Sequence, residues 1–213
     1  MYLLNKDDAK EISKAIIAEE KRTSGEIVAV LAAQSGSYRL LPLFLAAFVA
    51  LLIPLILIYL PRYTDGQFLI WSAEKIYFIQ LVCFVALALF LSFRPFRYWI
   101  VPKTFKKKWA HAHALEQFAA QEMHTTSGRT GIMIFVSVAE HHAEVIGDLG
   151  IYEKIPASEW DALVQQLALD IKNKKPKKGF VTAIHQSGEW LSEHFPPGSE
   201  PLDELVNHLI VIE

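Results

Sequence analysis

Arg129, Thr130 and Asp148 are the residues of this 213-residue chain that sequence pattern brings closest to a chemical constellation. Residues 131–138 (GIMIFVSV) predict a buried strand. The polar turn 139–142 (AEHH) reverses it, and 143–148 (AEVIGD) predicts an antiparallel return. In that hairpin the end of 143–148 returns beside the start of 131–138. Arg129 and Asp148 then become neighbours, with Thr130 close. A carboxylate with a hydroxyl offers hard oxygen donors to a divalent cation, and a guanidinium with a hydroxyl suits a small anion. The same pair also serves as a plain ion pair that pins the loop.

The turn itself is the second candidate. Glu140, His141 and His142 place a carboxylate beside two imidazoles at the carboxyl end of a strand, where open α/β sheets place sites and where zinc or a softer metal finds ligands. Adjacent residues diverge in direction, which works against convergence of all three and favours a polar turn. His111 and His113 lie about 200° apart on a helix and read as surface residues. Nucleophilic catalysis has little support. The one cysteine, Cys83, lies in an apolar run, so neither an intramolecular disulfide nor a cysteine zinc site exists. No Gly-x-Ser-x-Gly elbow and no Walker phosphate loop occurs.

The elements that must position these residues are readable. Segment 5–22 predicts a helix with Asn5 as N-cap, Asp7 and Asp8 in the first turn, and Ile12 and Ile16 inward. Thr23-Ser24-Gly25 ends it, with Gly25 suited to a left-handed position. Residues 26–33 (EIVAVLAA) predict a buried strand, expected parallel to 131–138. A helix is expected over 103–123 with Leu115 and Phe118 inward, ended by Thr126-Ser127-Gly128. Further helices are expected over 157–173, with Trp160, Leu163, Val164, Leu167 and Ile171 on one stripe, and over 179–194. The tail 208–212 reads as an edge strand or a helix end.

Two runs do not belong to a soluble domain. Residues 40–60 and 76–93 carry no charge, and each is close to the roughly 30 Å of helix that crosses a bilayer. They predict a transmembrane hairpin, with Pro54 kinking the first span. Arg94, Arg97, Lys103, Lys106, Lys107 and Lys108 follow it with no acid among them, and Arg39 precedes it. The loop 61–75 balances Arg62 and Lys75 with Asp65 and Glu74. Retention of basic flanks inside places both termini in the cytoplasm. Tyr38, Tyr98 and Trp99 at one end, and Trp71 and Tyr77 at the other, suit the two interfaces. The net charge of −2 hides an asymmetry: 114–213 holds 7 basic against 15 acidic residues. A basic collar over 94–108 points to anionic lipid, and with no recognition motif beside it, not to nucleic acid. The Lys172–Lys178 run reads as a solvated loop.

The order of these elements, with Thr23-Ser24-Gly25-Glu26-Ile27-Val28, Arg129-Thr130-Gly131 through Ser137, Ala139-Glu140, Val145-Ile146-Gly147-Asp148, Gly150-Ile151, Trp160 and His194-Phe195-Pro196, resembles the TPM domain family. In particular it resembles the membrane members whose domain is interrupted by a transmembrane hairpin. The resemblance implies an α/β fold: a TPM-like mixed sheet flanked by helices, split by the two-helix hairpin. The domain plan is then 1–37 and 99–213 as two parts of one domain, with 38–98 as the hairpin. Within the family it implies acid phosphatases, calcium binding with Ca²⁺ or Mg²⁺ as cofactor, or auxiliary roles for membrane complexes. Arg129-Thr130-Gly131 stands where family members carry Asp-Asn-Gly, so the acidic position has become basic. The expectation is a membrane protein with a non-enzymatic binding or regulatory module for another membrane protein. The alternative is a divalent-metal-assisted phosphatase that uses Asp148.

Overall fold

The computed structural model describes residues 4–36, 38, 40–59, 72–93, 96, 98, 100–126, 128–197 and 208–212. Arg39, the loop 60–71 with Arg62, Asp65 and Trp71, and Arg94, Arg97, Trp99 and Ser127 lie outside them. In chain order come α1 (Lys6–Glu20), β1 (Ile27–Ala32), α2 (Leu40–Tyr59), α3 (Ala73–Ser92) and α4 (Lys103–Ala120). A 3₁₀ turn (Met123–Thr125), β2 (Ile132–Ser137), β3 (His142–Gly147), α5 (Leu149–Tyr152), α6 (Ala157–Lys172), α7 (Pro176–His194) and β4 (Ile210–Ile212) follow. Two compact units result. One contains Met1–Gly36 with Lys106–Glu213, and the other Ser37–Phe105.

The first unit is built on a four-stranded mixed sheet of order β3-β2-β1-β4. β1 runs parallel to β2 with Ile27 opposite Ile132, although a hundred residues separate them, and β3 returns antiparallel with Ile132 opposite Gly147. The tail is a strand, β4, parallel to β1. All six residues of β1 and of β2 are buried, because each face of the sheet has its own core. On one face Ile27, Ala29, Leu31, Ile132, Ile134 and Val136 meet Ile12 and Ile16 of α1, Trp160, Leu163 and Leu167 of α6, and Phe180, Ile184 and Leu191 of α7. On the other, Val28, Val30, Ala32, Met133 and Phe135 meet Ala114 of α4 and Met123. A fully buried side chain such as Phe180 stabilises by about 1.5–3 kcal/mol.

Local chemistry fixes the ends. Asn5 and Asp8 form a reciprocal capping box at the start of α1. The Thr23 hydroxyl donates to the Phe195 carbonyl (2.6 Å) and accepts from Gly25 N–H, tying the end of α1 to the end of α7. Gly25 does not take a left-handed backbone; the described glycines all have ordinary φ. It is glycine because a Cβ would sit 2.6 Å from Leu191 Cδ2 and 3.0 Å from the Thr130 carbonyl oxygen. α4 also differs from expectation. Ala110 and Ala114 are buried, Ala114 in the core of the sheet face with Phe118 packed beside it, whereas Leu115 is exposed.

The second unit contains α2 and α3, both long and apolar enough to cross a membrane by length and composition. α3 begins at Ala73 and so takes in Glu74 and Lys75, which the sequence placed in the loop.

Candidate functional site

The Arg129 and Asp148 neighbourhood forms as the hairpin register requires. Asp148 N–H donates to the Gly131 carbonyl, and Arg129 Nη2 lies 3.4 Å from Asp148 Oδ1. Asp148 is also the N-cap of α5, a short helix that the sequence did not reveal. Its Oδ1 accepts from Leu149 N–H at 2.6 Å. Arg129 itself adopts the left-handed conformation, φ 52°, and its carbonyl accepts from Gly150 N–H. That approach explains Gly150. A Cβ there would lie 2.6 Å from the Arg129 carbonyl oxygen and 2.9 Å from that of Gly128.

Two oxygens in this corner are buried without a hydrogen-bond partner: Asp148 Oδ2 and Thr130 Oγ1. Thr130 and Asp148 are themselves buried, so these atoms are the chemical reserve of the site. They do not make a divalent-cation site as placed. Ca²⁺ and Mg²⁺ take six or more oxygens, and one carboxylate with one hydroxyl supplies few of them. Arg129 adds a positive charge against the same carboxylate. No cluster of three His, Cys, Asp or Glu suited to a metal occurs among the described residues.

The three turn residues go three ways. Glu140 is buried, and its Oε2 accepts from Ser35 N–H (3.1 Å) and from the Ser137 hydroxyl, which in turn accepts from Ser35 Oγ at 2.7 Å. It therefore ties the exit of β1 to the end of β2. His141 is exposed in a left-handed turn conformation, φ 50°. His142 turns back to Glu144 at 3.0 Å.

Glu144 is the residue that sequence reasoning missed. One carboxylate oxygen meets His142 of its own strand, and the other meets His111 of α4 at 2.7 Å. Burial pushes the Glu144 carboxyl up, but hydrogen bonds from His142 and His111, with their charge, outweigh it and hold the group below its ordinary value. The signal was the i, i+2 pair His142 and Glu144, which an alternating strand puts on one face. His113 lies edge-on to Phe135, 5.7 Å between ring centroids. Serines, carboxylates and imidazoles thus gather at the carboxyl end of β1 and β2, on the side covered by α4.

Residues 96–189 match the model of the TPM domain. No curated protein matches the chain. Among solved structures, the NMR structure of BA42 protein from the psychrophilic bacterium Bizionia argentinensis is similar. Its TM-score is 0.57 at 20% identity, covering 98% of this chain and 94% of that one. These findings correct the expected TPM-like domain split by a transmembrane hairpin. The matched segment is contiguous and begins after α3, so both apolar helices lie N-terminal to it rather than within it. The expectation arose from β1, a strand that completes the sheet from outside the matched segment. What the chain shares with known proteins is therefore a likeness to the TPM domain over 96–189 and an α/β fold like that of BA42.

Proposed function

We propose that this chain is an integral membrane protein whose α2 and α3 cross the bilayer as a hairpin. Its α/β body is a cytoplasmic, non-enzymatic binding or regulatory module for another membrane protein. One observation supports this most. The two apolar helices leave their large side chains uncovered: Phe44 is 70% exposed, Phe78 66% and Leu89 67%. An apolar surface of that extent needs lipid or a partner. The basic residues over 94–108 support a cytoplasmic side for that flank, and with it for both termini, with anionic lipid beside it.

The polar groups of the body support binding over turnover. Glu140 is engaged in holding two strands, Glu144 in holding α4, and Asp148 in capping α5. The competing metal-assisted phosphatase would need Asp148 to recruit a cation beside Arg129, and the donor set gives that no support. Alkaline washing and flotation of native membranes test the anchor. Crosslinking followed by detergent purification tests the module. Stoichiometric recovery of one membrane protein supports the reading. Asp148-dependent hydrolysis of a phosphate ester with Ca²⁺ or Mg²⁺ would replace it with the enzyme.

A further inference from the structure

α6 and α7 pack antiparallel: Glu159 meets Trp190 at one end of the pair, and Asp170 meets Lys178 at the other. Between them lies a surface groove of about 340 Å³, lined by Glu159, Leu163 and Gln166 of α6 and by Thr182, Gln186 and Trp190 of α7. That volume is at the small end of ligand pockets and suits one or two side chains. The floor is apolar and held in place. Leu163 and Trp190 are buried, Trp160 packs against Trp190 with 4.9 Å between ring centroids, and Tyr152 stacks on Trp160 at 5.9 Å. The walls are rich in hydrogen-bond acceptors. Glu159 is exposed, and one of its carboxylate oxygens accepts from the Trp190 indole N–H at 2.9 Å. Gln166 gives its amide nitrogen to Asp170 at 2.9 Å, which leaves its carbonyl oxygen as its chief offering to a ligand. At 3.6 residues per turn, the exposed Glu189 and Glu193 fall within an arc of about 60° with Thr182 and Gln186, on the outer rim. The lysines of the two helices sit at the other end of the pair, where Asp170 holds Lys178, and Asp8 and Glu11 hold Lys177.

We propose that this groove takes an arginine or lysine side chain from a basic segment of the partner protein. The aliphatic stem lies on Leu163 and Trp190, and the charged head meets Glu159. Glu189 and Glu193 attract the basic neighbours of that residue. Arginine fits best, because its planar guanidinium bonds a carboxylate through two N–H groups. This rests on the binding-module reading above and names what the module binds. The cytoplasmic flanks of membrane proteins carry an excess of lysine and arginine, the charge that this acidic groove complements.

The test uses the purified full chain in non-ionic detergent and two peptides with a neutral fluorophore. One is acetyl-Gly-Arg-Leu-Arg-Gly-amide, and the other has glutamate in place of both arginines. Fluorescence anisotropy should show saturable binding of the arginine peptide alone, weakened by added salt. Glu159→Gln keeps an acceptor for the Trp190 N–H but removes the charge, and should weaken binding several-fold. Gln186→Lys puts an ammonium group of the chain's own into the groove and should abolish it. Asp161→Asn removes the same charge from the far side of α6 and should leave binding unchanged. Equal weakening by Asp161→Asn and Glu159→Gln, or equal binding of the glutamate peptide, would overturn the proposal. So would absent binding, yet the module would stand if crosslinking still recovered one membrane protein. Groove-dependent binding with no partner recovered would instead remove the module and keep the groove as a cationic-peptide site. Where a partner is recovered, Gln186→Lys should lose it, and its undiminished recovery would place the contact elsewhere.

Discussion

His111 Nδ1 lies 2.7 Å from Glu144 Oε1, so a histidine of the helix α4 is bonded to the edge strand β3 beneath it. The other oxygen of the same carboxylate holds His142. This carboxylate therefore links helix to sheet on the face with a single covering helix, α4, among the described elements.

The first prediction follows from the charge on Glu144. Its folded pKa lies below its ordinary value of 4.5, so the link adds stability above that value and loses it as pH falls through the folded pKa. The stability difference between wild type and Glu144→Gln should shrink on acidification below the ordinary value. Chemical denaturation in detergent, followed by near-ultraviolet circular dichroism across that range, measures it. A difference that grows as pH falls below the ordinary value would contradict the assignment.

His111 is about half exposed, so solvent screens its pairing. A double-mutant cycle of His111→Ala and Glu144→Gln should give a coupling of about 0–1 kcal/mol near neutral pH. A coupling of several kcal/mol would mean that the pair is buried in the working protein.

Asp148 acts chiefly as a cap. Asp148→Asn keeps an acceptor for Leu149 N–H and should cost about 0–1 kcal/mol, whereas Asp148→Ala should cost about 1–2 kcal/mol. Millimolar Ca²⁺, Mg²⁺ or Zn²⁺ should shift the melting temperature little in either. A large shift in wild type that vanishes in Asp148→Asn would make Asp148 a metal ligand, because a ligand of the folded state stabilises by mass action.

Gly150→Ala places a methyl group against two backbone carbonyl oxygens that cannot rotate away. It should destabilise by about 1–3 kcal/mol. Unchanged stability would show that the Gly128–Arg129 turn moves freely, and would loosen the case for a built corner there.

Much of this was legible in the chain because the signals were local. Asn5 and Asp8 announced a helix start, and the continuous apolar runs of β1 and β2 announced strands buried on both faces. The Arg129–Asp148 approach followed from a short hairpin. What stayed hidden was long-range or close-packed. Ser35 and Glu140 meet across 105 residues, and His111 and Glu144 across 33, with no periodicity to report either. Leu115 misled because the larger residue was taken as the inward one, while Ala110 and Ala114 are the buried ones. Three-residue β4 is too short for alternation to identify. The place of the apolar helices relative to the TPM-like segment was misjudged because β1 looked inseparable from the strands it pairs with.

The membrane hairpin is the central claim, and cysteine accessibility in intact cells tests it most directly. On a Cys83→Ala background, Tyr2→Cys, Asp65→Cys and Glu213→Cys are challenged with a membrane-impermeant thiol reagent before and after permeabilisation. The account predicts that residue 65 reacts from outside, and that residues 2 and 213 react only once the membrane is opened. Residues 2 and 213 on opposite sides, or residue 65 on the cytoplasmic side, would contradict it.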